Sequence, residues 1–262
     1  RSTLFPYTTL FRSQPLVFGG KEKTYMAWDG IGKKQLAANR RFNPAGADYD
    51  ESGNIVGFYD NQTDNYRQNH IQLHFSHFFM PELSMNAALH YTKGSGYYEQ
   101  FKDNAKLKSY NLSEKVVIDG KEVNIKQTDI VRRKNLDNDF FGGVWSLNYV
   151  QDAFDLHLGG ALNRYDGAHF GNVIFARNYP LPLKDFEYYR NNGQKTDGNV
   201  YLKGAYRLER WLSIFGDLQY RYVGYTISGI NDQGLKPIEV SRRYHFFNPK
   251  VGIAYSQGGH RG

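Results

Sequence analysis

Hydrophobic and polar residues alternate one by one along much of this chain. In "HIQLHFS", Ile71, Leu73 and Phe75 are separated by His70, Gln72, His74 and Ser76. "SMNAALHYT" sets Met85, Ala87, Leu89 and Tyr91 against Asn86, His90 and Thr92. "NVYLKGAYRL" and "LSIFGDLQYRY" continue the pattern through Val200, Leu202, Gly204, Tyr206 and Leu208, then Leu212, Ile214, Gly216, Leu218, Tyr220 and Tyr222. A period of two marks strands, because successive side chains point to opposite faces. Eight such segments are predicted, at 15–28, 66–78, 84–98, 139–151, 155–166, 198–208, 211–228 and 243–256. Several exceed the ~5–6 residues of a common soluble strand and suit the ~9–11 of a tilted membrane strand.

The connections alternate as well. Short turns fall at 80–83, 152–155 and 209–211, and long polar stretches near 29–65, 99–138, 167–197 and 229–242. Tight turns on one side and long loops on the other are the habit of an outer-membrane barrel. Aromatics collect near both kinds of connection: Phe78, Phe79, Phe154 and Trp211 by the turns, and Tyr25, Trp28, Tyr97, Tyr98, Tyr165, Tyr225 and Tyr244 by the loops. They are expected to form two interfacial girdles. The second face carries Lys203, Arg207, Asp217, Gln219, Arg221 and Lys250, which a dry sandwich core could not accept but a solvated lumen could. The predicted fold is all-β, an antiparallel up-and-down transmembrane β-barrel present as an incomplete curved sheet of about eight strands. Two alternatives stand beside it: eight strands closing into a small adhesive or structural barrel, and a soluble β-rich carbohydrate-binding domain.

Composition sharpens this picture. Aromatics are 16% of residues, with 21 Tyr, 18 Phe and 27 Gly, a strand-forming composition. There is no cysteine, which excludes disulfides and thiolate chemistry. The net charge of +7 is spread among 26 acids without a basic block, so no nucleic-acid partner is expected. His70 and His74 share a strand face but stand ~13 Å apart, too far for one metal ion, and His77 points away. No metal site or cofactor is expected. The chain lacks Gly-x-Ser-x-Gly and His-Glu-x-x-His motifs and a convincing carboxylate pair, so an enzyme is not expected. Gly94 and Gly96 read as relief of crowding near a barrel mouth. "VVIDGKEVN" (116–124) and "NIVGFYD" (54–60) read as hairpins within the long loops.

The segments "DNQTDNYRQNHIQLHFSH", "MNAALHYTKGSGYYEQF", "DLHLGGALNRYDGAHFGNVIFAR", "YRNNGQKTDGNVYLKGAYRL", "FGDLQYRYVGY" and "FFNPKVGIAYS", in this order and spacing, resemble the barrel of TonB-dependent outer-membrane receptors. The likeness is strongest to the Bacteroidetes-type receptors for siderophores and cobalamin, and covers 15–262. It implies an outer-membrane location and an importer that takes up a scarce nutrient, such as a ferric siderophore, at its outer loops. It implies a 22-strand barrel with outer-membrane lipid around it, and TonB as energy-coupling partner through a plug region. Residues 14–262 are then expected to be part of the barrel, without the plug and the remaining strands. Aromatic and cationic loop-side residues become ligand-contact candidates: Trp28, Arg40, Arg41, Tyr97, Tyr98, His169, Phe170 and Arg177.

Residues 1–13 stand apart. "TLFPYTTLFRS" (3–13) matches, residue for residue, a translation of a common short-read sequencing adapter. The segment is read as non-native, outside the barrel. Without Arg1 and Arg12 the net charge falls from +7 to +5.

Overall fold

A computed structural model of the chain describes residues 11–180 and 186–256. Residues 1–10, most of the segment read as non-native, lie outside the described residues, as do 181–185 and 257–262.

Eight long strands form one antiparallel sheet. They are β1 (Phe11–Tyr25), β4 (Thr63–Met80), β5 (Leu83–Lys106), β8 (Gln127–Gln151), β9 (Phe154–Ala176), β10 (Phe186–Glu209), β11 (Leu212–Ile230) and β12 (Pro237–Tyr255). All eight predicted strands are present, each paired with its neighbour in sequence order. Two small hairpins lie in the long connections: β2 (Ala47–Tyr49) with β3 (Ile55–Phe58), and β6 (Lys115–Ile118) with β7 (Lys121–Asn124). The second turns at Asp119 and Gly120, both at positive φ (50° and 75°), as a two-residue hairpin turn demands. A six-residue helix, α1 (Lys33–Ala38), precedes β2.

The sheet does not close. β1 and β12 sit at opposite edges, and no pairing joins them among the described residues. The self-contained eight-strand barrel is thereby excluded for this structure. So is a sandwich, since no second large sheet covers the first among the described residues.

Register turns the alternation into two faces. On the outer face Ile71 stands opposite Val17 and Tyr91, Leu89 opposite Leu73 and Gly143, Leu202 opposite Leu158 and Leu218, and Ile214 opposite Tyr206 and Ile253. These rows run from Leu83 to Tyr91 on β5 and from Gly198 to Tyr206 on β10. Nine residues on each strand match the length a tilted strand needs to cross the hydrocarbon layer. Leu89 is 62% exposed and Val17 76%, because nothing among the described residues covers this face.

The inner face is polar and internally bonded. Arg221 grips Asp197 through two bonds of 2.6 and 3.0 Å. His90 meets Asn163 at 2.8 Å, and His157 meets Asn148 at 2.7 Å. Lys203, Asp217 and Lys250 stand in one cross-strand row. A groove of about 650 Å³ on this face is lined from β1, β4, β5, β8, β9 and β10, including Gln14, His74, Asn86, Ser146 and Asn199. Only the concave side of a curved sheet can gather so many strands around one groove.

One observation concerns the segment read as non-native, and one expectation changes. Phe11, Arg12 and Ser13 extend β1 and pair with His77, Ser76 and Phe75, although their side chains were read as foreign to the barrel. The β4 edge offers backbone donors and acceptors that any extended segment can meet. The upper girdle also differs. Tyr165, Tyr225 and Tyr244 share the inner face with Lys195 and Arg242, with Tyr225 stacked on Tyr244 at 6.2 Å. The outward aromatics at that edge are Tyr91, Phe141, Tyr220, Tyr222 and Phe247.

Candidate functional site at the barrel mouth

Beyond Tyr91 the strands continue well past the membrane-crossing stretch. β5, β8, β9 and β10 are 23 to 25 residues long, so their upper halves stand as a wall outside the bilayer. Glycines permit close packing there. A Cβ on Gly94 would lie 2.4 Å from the Tyr66 hydroxyl, and one on Gly96 would lie 2.8 Å from the Tyr66 ring. Both glycines make room for that ring, as their reading as relief of crowding requires.

The connection between β5 and β8 folds inward over this wall. Leu107 and Tyr110 of a short 3₁₀ turn, with Leu112, pack on Ile130, Val173, Ala176, Tyr188 and Tyr189. Leu107, Ile130 and Val173 are fully buried. This cluster is the largest apolar core the described residues have, and it fixes one rim of the mouth.

Beside it lies a cavity of about 690 Å³, lined by residues of all eight long strands. Tyr66, Tyr98, Lys134, His169, Tyr189 and Asn191 line it, with Asp232 at the rim. Trp28 meets Tyr98 edge to face at 5.1 Å, and the Lys134 ammonium lies 5.9 Å from the Tyr98 ring centre. Lys134 also pairs with Asp232 across the opening. Two further cations point to the same face: Lys102, and Arg132, whose guanidinium donates to Gln100 at 2.7 Å. Burial pulls the Lys102 ammonium below its ordinary range, and repulsion from Arg132 and Lys134 adds to this against the attraction of Asp29. Burial alone lowers the His169 imidazolium. Both shifts report burial, and that of Lys102 the neighbouring cations as well; the cavity lining itself sets Lys134 against the carboxylates of Glu22, Asp64 and Asp232, between aromatic walls. Its aromatic walls suit a planar, aromatic ligand, with the Lys134 ammonium as the cation of the lining.

Of the eight sequence candidates, Tyr97, Tyr98 and His169 line this cavity, and Trp28 reaches it through its contact with Tyr98. Tyr97 and Phe170 turn their rings to the outer face, beneath Arg133 (4.4 Å) and Arg190 (4.1 Å). Arg177 belongs to an ion-pair network on the outer wall, 2.9 Å from Asp129 and 3.8 Å from Asp48. Asp48, Asp103 and Asp129 lie within 4.8 Å of one another, and Arg177 supplies the counter-charge. Arg40 and Arg41 follow α1 on an exposed stretch and make no ion pair among the described residues. Lys102, Arg132, Lys134, Tyr189 and Asp232 were not among the candidates. Lys102, Arg132 and Lys134 were obscured because the predicted strands ended at 98 and began at 139. Continuing each strand's alternation outward places all three cations on the inner face.

The connection before β4 is anchored to the outer face by Glu99, which is only 2% exposed. Its carboxylate accepts from the Tyr59 hydroxyl, from Asn61 at 2.6 Å and from Arg133 at 2.6 Å. Burial alone would raise this carboxyl, but the three donors together hold it below the ordinary glutamate range. Replacement by alanine strands Arg133 and Tyr59, at a cost of roughly 2 kcal/mol. In Glu99→Ala, limited proteolysis should cut within 29–62 faster than in the parent. Because the folded-state value is depressed, the anchor holds fully above the ordinary glutamate range. It weakens as pH falls through the lowered value.

A family model described as "TonB dependent receptor-like, beta-barrel" matches residues 12–258. No curated protein matches significantly. Among solved structures, the ferric-catecholate import receptor Fiu from Escherichia coli K12 in its closed form is similar at 12% identity with a TM-score of 0.60. The match covers 96% of this chain and 40% of that one. Its open form gives 13%, 0.61, 95% and 42%. The siderophore receptor PiuA from Acinetobacter baumannii gives 10%, 0.55, 95% and 38%. The chain therefore spans about 40% of the length of the receptors it matches.

Proposed function

Because the chain belongs to the TonB dependent receptor-like β-barrel family of the Gram-negative outer membrane, we propose that it forms part of the wall of an energised importer for an anionic metal chelate of the ferric-siderophore kind. The observation that carries this reading is the mouth cavity, where Lys134 stands among Tyr66, Tyr98 and Tyr189, with Trp28 packed on Tyr98 and with Lys102 and Arg132 further out on the same face. Aromatic rings stack on a flat ligand, and the cations offset its charge. The names of the neighbours, a ferric-catecholate import receptor and a siderophore receptor, agree with that chemistry. Release into the periplasm depends in this reading on TonB, acting through a plug region within the barrel. The chain's part is binding and passage, without catalysis. A place in the Bacteroidetes branch rests on the order of the sequence motifs.

The test uses the whole receptor that contains this chain. Binding of a ferric catecholate, followed by fluorescence quenching, should weaken by about tenfold or more in Lys134→Ala, the usual effect of deleting a charge-assisted contact. Growth of the host on that chelate as sole iron source should require the receptor and TonB. Unchanged affinity in both Lys134→Ala and Lys102→Ala sinks the mouth as ligand site. Growth supported by cobalamin but not by iron chelates moves the ligand class.

A further inference from the structure

Trp28 reaches the mouth from a chain that has just crossed the rim. Three residues earlier, Tyr25 lies on the outer face, where its hydroxyl donates to the Ala45 carbonyl at 2.9 Å. Trp28 lies on the inner side against Tyr98, its one ring contact among the described residues, and stays 54% exposed. Among the described residues no backbone hydrogen bond holds 27–31. A single edge contact does not offset the entropy of ordering an exposed indole. Its place is therefore set by the chain that leads to it.

That chain is tied down at Met26, which is 2% exposed. The Met26 N–H donates to the Gln62 carbonyl at 2.9 Å, and the Met26 carbonyl accepts from the Asn43 side chain at 2.8 Å. Gln62 is equally buried, and its side-chain carbonyl accepts the Phe101 N–H at 2.8 Å. Just before Gln62, the Tyr59 hydroxyl and the Asn61 amide both donate to the Glu99 carboxylate. The Tyr59 N–H in turn donates to the Gly46 carbonyl at 2.7 Å, which ties the two arms of the connection together. A short run of bonds thus leads from Glu99, on the outer face, to Trp28 at the cavity. A buried carboxylate with three donors is a rigid end for such a run, because any release leaves polar groups unpaired.

We propose that Glu99 is a positioning residue for ligand binding: it holds 59–62 against the outer face and, through Gln62 and Met26, sets the place of the Trp28 indole at the mouth. Glu99 itself faces away from the ligand. The inference rests on the reading of the mouth as the ligand site.

The experiment uses the whole receptor labelled with 5-fluorotryptophan, with the Trp28 fluorine resonance identified by its loss in Trp28→Phe. Without ligand, Glu99→Ala should narrow that resonance and move it towards the free amino acid. Tyr59→Phe, a milder change that keeps the ring, should move it the same way by less. With a ferric catecholate as probe, Trp28→Ala should weaken binding about tenfold, as removal of an aromatic anchor does. Glu99→Ala should weaken it about fivefold in the parent but less than about twofold in the Trp28→Ala background, since residues acting through one another are not additive. An unmoved Trp28 resonance in both folded Glu99→Ala and Tyr59→Phe overturns the proposal. So does the same loss from Glu99→Ala in both backgrounds, and so does a Trp28→Ala receptor that binds as the parent does. If the unmodified receptor binds no ferric catecholate, the proposed ligand fails, and the ligand-free spectra alone decide the positioning.

Discussion

Residues 14–262 produced alone will be recovered as insoluble material. A compact monomer of 30.3 kDa exposes about 11,800 Å², whereas this chain exposes 18512 Å². The excess is apolar in the wrong places for water. Val251 is 88% exposed, and Ile253, Phe247 and Val17 are similarly bare on the outer face. Both edge strands also present unpaired backbone groups. In water such edges recruit further strands, and in a bilayer an unsatisfied backbone group costs several kcal/mol. Neither solvent accepts the open sheet, so aggregation is the expected fate. The check is fractionation followed by size-exclusion chromatography. A soluble monomer with one cooperative melting transition would show that the sheet closes or is covered in some way absent from this structure.

Much of the fold could be read from the chain because each membrane-crossing segment separates two solvents. Leu202 faces lipid and Lys203 faces the lumen, so the pattern of two is enforced residue by residue. Strand ends were harder to place for the same physical reason. Above Tyr91 both faces meet water, Lys93 and Ser95 replace apolar residues outside, and alternation fades while backbone pairing continues to Lys106. From sequence alone, Tyr97 and Phe170 therefore read as mouth residues without regard to face, and Lys134 falls within a predicted loop. The inward-folded connection was equally hidden. Its core joins Leu107 to Val173 and Tyr188, far apart in sequence, and no local pattern announces that contact. The hairpin at 116–124 was legible, since Asp119-Gly120 between β-branched residues is a local signal.

The assignment of faces makes a second strong prediction, read from paired substitutions at one depth. Leu202 is the middle of the nine-residue stretch Gly198–Tyr206 and faces outward, flanked by Leu158 and Leu218. An arginine there must desolvate its guanidinium in the hydrocarbon centre or pull its strand towards an interface. Barrel proteins measure that cost at about 2–4 kcal/mol at the midplane. Asn86 lies within the span Leu83–Tyr91 of β5 but faces the groove, between Ser76 and Ser146. An arginine there keeps its charge in a polar lumen, at a cost of roughly 0.5 kcal/mol. In the whole receptor, refolded into lipid vesicles and titrated with guanidinium, Leu202→Arg should lower the midpoint sharply while Asn86→Arg leaves it nearly unchanged. The reverse order would mean that the apolar face lines the interior, which would invert the sheet and move the cations of the mouth to the outside. Equal and small effects would mean that neither face contacts hydrocarbon. The comparison is decisive because the two substitutions introduce the same charge at nearly the same height and differ in which way the strand points it.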